Sequence, residues 1–392
     1  MGAQAAGSAP PHRQVKSVLH LIDQGGPGGA QTVFVDLATR MDRSRWRPIA
    51  AVPGAGWVAD ALTARGIQPV VTPIRHGPFD PRYLLQLISM IRRERVDLVH
   101  AHLLGPSVYG GLAGIACGVP VISTFHGHVD VAPDERFRGL KFRIIGRAAG
   151  AVVFVSERLR QFFLSVTPLD PGCTAVIHNG VDLSAFRPDA ARPFRREMGV
   201  GSDEFLVGAV GHIRPPKAYD VFIRAAAQLR RVSASFRFVI VGLPEGTLLS
   251  DLTRLRDELG LRDAVTFAGF REDIQRVMAA LDVYVISSST EGFSLSAVQA
   301  MACGVPVVAT RCGGPEEIVT DGATGLLVEV ADPGAIARAV AALWEAPDLR
   351  RRLALSGQGS VRQRFSQERM IGAYDELYGR CIQDSSGLPG PR

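Results

Sequence analysis

The chain has 392 residues, 46% hydrophobic and 21% charged, with a mean hydropathy of +0.13; this excludes a disordered or fibrous protein. The formal charge is +6, and the basic excess lies in residues 1–180, with 19 basic and 12 acidic side chains against 25 and 26 in residues 181–392. The asymmetry suggests an anionic partner such as a phospholipid surface, a lipid diphosphate, an acidic glycan or nucleic acid.

Both ends of the chain have the composition of disordered segments. Residues 1–14 consist largely of Ala, Gly, Pro and Ser without an apolar core, so we predict a disordered arm and no signal peptide. A second disordered segment is expected at residues 384–392. The five cysteines form no C-x-x-C pair, which favours free thiols in a reducing cytoplasm.

Short runs rich in Val and Ile alternate with helical patterns, which is typical of a parallel sheet covered on both faces. We therefore predict a doubly wound α/β architecture. Strands are expected in the first half at Lys16–Ile22, Pro48–Val52, Gln68–Val71, Asp97–Ala101, Val119–Ser123, Ala151–Val155 and Thr174–Ile177. In the second half they are expected at Phe205–Gly211, Phe236–Val241, Ala264–Ala268, Asp282–Ile286, Pro306–Ala309 and Gly325–Val328.

A short internal repeat indicates two similar domains. The sequence ACGVPV at residues 116–121 recurs at residues 302–307, each time ending an Ala/Gly-rich helix and leading into a Val-rich strand. Shared helix-end chemistry would also produce it. We predict two Rossmann-like domains facing a cleft: residues 15–180 with a terminal helix from 366–383, and residues 181–365.

The first strand leads directly into a glycine-rich loop, Gly25–Gly29. Glycines there allow backbone amides to approach an anion, and the following helix adds the positive end of its dipole. The spacing differs from the dinucleotide fingerprint G-x-G-x-x-G. A phosphate or substrate contact and a merely flexible loop are both compatible with this pattern.

Four histidines form two H-x-H pairs, each close behind a predicted strand: His100 with His102, and His126 with His128. Alternation on a strand would give each pair a metal-binding geometry, but no carboxylate or cysteine recurs at ligand spacing, so we predict no metal. His126 lies where open α/β sheets bind ligands, and its imidazole could donate to a substrate oxygen. A structural histidine is the alternative.

Two segments raise the question of a membrane. Residues 103–125 carry no charge over 23 residues, but prolines and glycines interrupt them, so a transmembrane helix is not predicted. Residues 136–147 are strongly basic. They would suit contact with an anionic membrane, although charges among the apolar positions make them equally compatible with an ordinary scaffold helix.

Two loops of the second half carry the residues best suited to a diphosphate. Arg214 and Lys217 lie between a strand and a helix, where they can neutralise a departing diphosphate. Glu291 precedes a second helix, whose first amides, at residues 292–295, can bind phosphate. Gln299, about two turns further on, can bond a sugar hydroxyl.

Taken together, these segments resemble the retaining glycosyltransferases of family four, which have the GT-B fold. The resemblance covers about Ser17–Tyr378, and its most specific parts are residues 291–310 and 313–328. Supporting matches are the glycine-rich loop, residues 121–127 and residues 178–182. The predicted terminal helix Gln367–Ile382 resembles the one that crosses back to the first domain in that fold.

The resemblance implies transfer of a hexose or N-acetylhexosamine from a UDP- or GDP-sugar, with retention, to a lipid-linked, polysaccharide or other glycan acceptor of the cell envelope. The donor would bind the second domain and the acceptor the first; the departing diphosphate would take the acceptor's proton, so no cofactor is required. The implied catalytic residues are His126, Arg214, Lys217 and Glu291. The implied donor-binding residues are Gly28, Gly29, Gly211, Arg214, Lys217, Glu291, Gly292, Phe293, Ser294, Leu295 and Gln299.

The sequence departs from the family pattern at three positions: Gln299 and Gln31 replace glutamates, and His212 replaces an arginine. Arg214 lies close enough to His212 to substitute for that arginine. Two alternatives remain at this point: a GT-B sugar-nucleotide epimerase and a non-catalytic sugar-nucleotide-binding homologue. The expected location is cytoplasmic, with peripheral contact to an anionic membrane as an option, and nucleic acid is no longer an expected partner.

Overall fold

The computed structural model describes residues 15–73, 79–131, 135, 137–188 and 192–386. The predicted arm, residues 1–14, and most of the predicted tail lie outside these ranges. All thirteen predicted strands are present, in the predicted order. They form two separate parallel sheets, so the expected architecture of two Rossmann-like units is confirmed.

The first sheet contains seven strands in the order β3-β2-β1-β4-β5-β6-β7. The chain therefore winds outward in both directions from β1 and β4, which are hydrogen-bonded neighbours. The strands are β1 (Lys16–Leu21), β2 (Trp46–Val52), β3 (Val70–Val71), β4 (Leu98–His102), β5 (Val121–Phe125), β6 (Ala149–Phe154) and β7 (Thr174–Val176). The helices are α1 (Gly29–Arg40), α2 (Trp57–Ala64), α3 (Pro81–Arg93), α4 (Leu104–Cys117), α5 (Arg138–Ala148) and α6 (Glu157–Val166).

The second sheet contains six strands in the order β10-β9-β8-β11-β12-β13, and its winding reverses between β8 and β11. The strands are β8 (Phe205–Val210), β9 (Phe236–Val241), β10 (Val265–Gly269), β11 (Val283–Ile286), β12 (Val307–Thr310) and β13 (Leu326–Val328). The helices are α7 (Arg192–Glu197), α8 (Tyr219–Val232), α9 (Leu248–Glu258), α10 (Ile274–Ala280), α11 (Leu295–Ala302), α12 (Pro315–Ile318), α13 (Pro333–Glu345) and α14 (Pro347–Arg364).

The repeated ACGVPV motif has the same structure in both copies. α4 is followed by Gly118 with φ 67°, and α11 is followed after one residue by Gly304 with φ 73°. Only glycine adopts this left-handed conformation readily, so it stops each helix at the point where the chain turns into β5 or β12.

The last helix, α15 (Gln367–Ser386), returns to the first sheet. Its inner face packs on Val18, Leu98, Ile122 and Val153, using the buried side chains of Met370, Tyr374, Leu377, Tyr378 and Cys381. The predicted crossing helix is thus present. It continues four residues beyond its expected end, into the segment that composition predicted to be disordered.

No helix in the described part of the chain is long and apolar enough to cross a membrane. The uncharged stretch at residues 103–125 folds into α4 and β5 instead. Its Pro106 and three glycines, Gly110, Gly111 and Gly114, are buried in α4.

Candidate active site

The centre of the candidate site is an ion pair between two largely buried side chains. Lys217 Nζ lies 2.6 Å from Glu291 Oε1, with side-chain exposures of 15% and 10%. Ser288 also donates to Glu291 Oε1, at 2.7 Å. Lys217 follows β8 and Glu291 follows β11, so the pair lies where the winding of the second sheet reverses, the usual ligand site of such sheets.

Backbone contacts fix the lysine in this position. Lys217 ends a short 3-10 turn, Pro215–Lys217, whose carbonyls at Pro216 and Lys217 accept from Ser289 and Ser287. Gly211 has φ 154°, and a Cβ there would lie 2.9 Å from the lysine Cε. The glycine therefore makes room for the Lys217 side chain as it runs past β8 toward Glu291.

Arg214 has a guanidinium donor without a protein acceptor. Its Nε is buried and has no hydrogen-bond partner within the described ranges. A buried, unpaired donor costs about 1–3 kcal/mol unless a ligand accepts from it. Arg214 and Lys217 thus place two cationic groups at one loop, as the sequence predicts for a diphosphate clamp.

The loop after Glu291 contributes one side chain to the core and one to the N-cap of α11. Phe293 is buried at 8% exposure, with its ring 5.7 Å from the rings of His178 and Phe365. Its side chain therefore belongs to the core, and only its backbone can face a donor. Ser294 caps α11 through a hydrogen bond from the amide of Ala297.

Gly292 brings the two halves of the molecule into contact. A Cβ at this position would overlap the backbone of His126 and Gly127, which follow β5 of the first sheet. The Gly292 carbonyl also accepts from Ser156 Oγ at 2.6 Å. Of the remaining predicted donor-binding residues, Leu295 opens α11 and Gln299, on its second turn, is half-buried.

Across the cleft, the glycine-rich loop leads into an uncapped helix. Gly28 precedes α1 with extended backbone, no side chain caps the helix, and its first turn has no acidic residue. The amides at Gly29 and beyond are the anion-binding kind that the sequence predicts. Gln31, which replaces a family glutamate, donates to Gln24 Oε1 at 2.9 Å, a bond that a carboxylate could not donate.

His126 belongs to a chain of buried imidazoles at the ends of β4 and β5. Its Nε2 lies 3.0 Å from His102 Nδ1, and the two rings are stacked 5.3 Å apart. Burial lowers the pKa of His126 to about 3. The ring is therefore neutral at pH 7 and suited to hydrogen bonding with a sugar hydroxyl rather than to acid catalysis.

A three-histidine cluster also lies in this region. One ring nitrogen from each of His20, His100 and His102 lies within 4.8 Å of the others. His100, however, already bonds Tyr378 through Nδ1 at 2.6 Å and Thr124 through Nε2 at 2.8 Å. A metal would have to displace one of these bonds, so the cluster is better described as a polar contact between β4 and α15.

The sequence analysis missed two contributors to the site, Ser288 and Tyr219, and gave His212 no contact. Ser288 holds Glu291, Tyr219 donates to the Gly211 carbonyl at 2.9 Å, and His212 Nε2 lies 2.8 Å from the carbonyl of Pro27. His212 thereby ties the glycine-rich loop of the first half to the cationic loop of the second. Nothing in the local pattern signals such a contact, because it depends on how the two sheets approach each other.

Comparison with known proteins identifies the family. Residues 27–185 match the model described as Glycosyltransferase Family 4, and residues 191–359 match Glycosyl transferases group 1. The D-inositol 3-phosphate glycosyltransferase 2 of Catenulispora acidiphila is 32% identical, covering 95% of this chain and 94% of its own. The chain is a family 4 glycosyltransferase.

Other relatives agree with this assignment. The D-inositol 3-phosphate glycosyltransferase of a Mycobacterium species (strain KMS) is 33% identical, covering 94% of this chain and 84% of its own. Anabaena HepE, crystallised with UDP, superposes with a TM-score of 0.81 at 26% identity, covering 93% of this chain and all of HepE. The glycosyltransferase is thus a hexosyl-type transferase with the GT-B fold, and the epimerase alternative is not supported.

Proposed function

We propose that this family 4 glycosyltransferase transfers a hexose or N-acetylhexosamine from a UDP-sugar to a hydroxyl group of an anionic, polyhydroxylated acceptor, with retention of configuration. The observation that carries the proposal is the Lys217–Glu291 pair at 2.6 Å beside the unpaired Arg214 Nε. Cations at this loop suit a diphosphate, and the Glu291 carboxylate suits the hydroxyls of the donor sugar.

The groups facing the cleft assign a role to each half. Arg214, Lys217 and the amides at the start of α11 would hold the diphosphate, while Gln299 would accept from the ribose. From the first half, Gly28 and Gly29 at α1 add backbone amides, and the neutral His126 would bond the transferred sugar. UDP is the favoured nucleotide of the donor because HepE has been crystallised with UDP and with UDP-glucose.

The proposed chemistry needs no protein nucleophile. The bond from the anomeric carbon to the diphosphate oxygen breaks, and the acceptor oxygen bonds that carbon from the same face. The acceptor's proton passes to the leaving diphosphate, whose growing negative charge Arg214 and Lys217 stabilise.

Acceptor class rests on two observations. The first is that the basic excess lies in the first half of the chain. The second is that the relatives are named D-inositol 3-phosphate glycosyltransferases, and D-inositol 3-phosphate is an anionic polyol. We therefore place D-inositol 3-phosphate first in an acceptor panel, followed by lipid-linked glycan acceptors.

Arg214→Ala tests the donor site without breaking an internal ion pair. We expect the Kd for UDP to rise ~10–100-fold, because a charge-assisted hydrogen bond to the diphosphate is lost. The weak binding of uridine, which has no diphosphate, should be unchanged. Isothermal titration measures both. Replacement of the exposed Arg352 on α14 by alanine is the matched control. An unchanged Kd for UDP in Arg214→Ala, or no UDP-sugar turnover by the wild-type protein, would refute the proposal.

A further inference from the structure

Asp23 lies where the winding of the first sheet reverses. It comes two residues after β1, and its carboxylate meets Gly105 in the first turn of α4, the helix that follows β4. A Cβ at position 105 would overlap Asp23 Oδ2, so a larger residue there would require the Asp23 side chain to move. β1 and β4 are the two strands from which the sheet winds outward, and ligands of open α/β sheets bind at this crevice.

Within the described ranges no side chain compensates the charge of this carboxylate, and the one group that lowers its pKa is a hydrogen bond from the backbone of Asp23 itself. Asp23 Oδ1 is buried without a hydrogen-bond donor, and no ion pair to Asp23 occurs within the described ranges. Among the described titratable groups, Tyr83 on α3 interacts electrostatically with Asp23, whose charge raises the pKa of the Tyr83 phenol. Burial raises the pKa of Asp23 to about 6, so the group is ionised at pH 7 at a cost that the unliganded fold does not recover.

Asp36, another carboxylate of the same half, has cationic partners that Asp23 lacks in the described part of the chain. Asp36 on α1 is more deeply buried than Asp23, at 5% exposure, and it lies 3.1 Å from Arg65 and 3.8 Å from Arg40. Asp23 is partly open to the edge of the sheet instead. Four residues further along, Pro27 touches His212 of the other half, so the segment after Asp23 borders the cleft.

We propose that Asp23 is the acceptor-binding carboxylate of the first half, accepting hydrogen bonds from hydroxyl groups of the acceptor at the β1/β4 crevice. The inference rests on the proposed function and adds a residue to it. Hydroxyl donors suit this site better than a cation, because the one group of three candidate metal ligands in the described chain does not include Asp23. The two sheets thus use equivalent crevices, the second for the donor and the first for the acceptor.

Asp23→Asn keeps the size of the side chain and removes its charge. With UDP-glucose as donor, we expect kcat/KM for D-inositol 3-phosphate to fall ~10–100-fold, because the substrate hydroxyls lose hydrogen bonds to a charged carboxylate oxygen. The Kd for UDP and the slow hydrolysis of UDP-glucose by water should stay at wild-type values. Saturation-transfer NMR with myo-inositol, in the presence of UDP, reports polyol binding independently of turnover.

Thermal unfolding separates binding from structure. Because the charge of Asp23 has no ion-pair partner within the described ranges, Asp23→Asn should keep or raise the Tm at pH 7.5. Asp36→Asn, the matched control, should lower the Tm and leave acceptor kinetics unchanged. An unchanged acceptor kcat/KM in Asp23→Asn, or a wild-type protein that binds UDP but neither polyol, would overturn the inference. Absence of UDP binding would instead refute the proposed function.

Discussion

At the scale of single residues, His212 shows how a departure from the family pattern acquires a use. The family arginine would offer a charge to the donor, but histidine at this position reaches the carbonyl of Pro27 on the opposite loop, at 2.8 Å. Arg214, two residues away, is left as the unpaired cationic donor. We therefore regard His212 as a positioning residue that holds the glycine-rich loop against the loop that carries Arg214 and Lys217.

His212→Ala should lower kcat/KM for UDP-glucose about 5-fold, the value of one neutral hydrogen bond of about 1 kcal/mol. His212→Gln retains a side-chain N–H and should recover most of the lost kcat/KM. If His212 acted only by packing, this variant would not be expected to restore activity. Steady-state kinetics with varied donor measures both variants. Equal activity of the alanine variant and the wild-type protein would remove His212 from the account.

At the scale of secondary-structure elements, α5 carries the basic segment of the first half. Its own Phe142 and Ile145 are buried on the inner face. Leu140 is 57% exposed and lies on the same face as the exposed Arg143 and Arg147. Arg136, which the sequence analysis included in this segment, lies outside the described residues. An outward face with basic and apolar side chains suits the surface of an anionic membrane.

We expect the double variant Arg143→Glu, Arg147→Glu to bind phosphatidylglycerol vesicles at least ~30-fold more weakly, at about 1 kcal/mol for each basic residue near such a surface. Vesicle sedimentation at low salt measures this. The control variant Arg351→Glu, Arg352→Glu changes an exposed pair on α14. Binding that is equally weak in all three proteins, or insensitive to salt, would remove membrane contact from the account.

The limits of sequence-based prediction are visible at the element ends. The strand expected at Val119–Ser123 begins instead at Val121, because the Val119 amide bonds the Gly114 carbonyl at the end of α4 and Pro120 has no amide hydrogen. Buried apolar runs predicted the existence of every strand, since both faces of each sheet are covered. Their ends depend on capping bonds that periodicity does not reveal.

The same distinction applies to the site. The location of Arg214, Lys217 and Glu291 was predictable because each follows a recognisable strand, and strand ends are where this architecture binds ligands. Phe293 is adjacent to Glu291 in sequence yet packs in the core, and Asp23 depends on Gly105, more than eighty residues away. Contacts of that kind follow from the tertiary structure, which short motifs do not encode.

At the scale of the whole molecule, two regions connect the halves: helix α15 and the contact at Gly292. α15 packs on the first sheet, where Tyr378 bonds His100 and Tyr374 lies 3.2 Å from Thr124. At the cleft, Gly292 contacts the backbone of His126, so the elements that we propose to bind the donor and the acceptor meet at van der Waals distance. Such an arrangement would bring an acceptor hydroxyl to the same face of the sugar as the departing diphosphate.

The anomeric configuration of the product tests this account most directly. UDP-glucose has an α-linked sugar, so same-face attack predicts an α-glycoside when the protein is incubated with UDP-glucose and D-inositol 3-phosphate. The coupling constant of the anomeric proton in the ¹H NMR spectrum distinguishes the two products. A small coupling, characteristic of the α-glucoside, is the result that we expect; the large coupling of a β-glucoside would contradict the proposed mechanism.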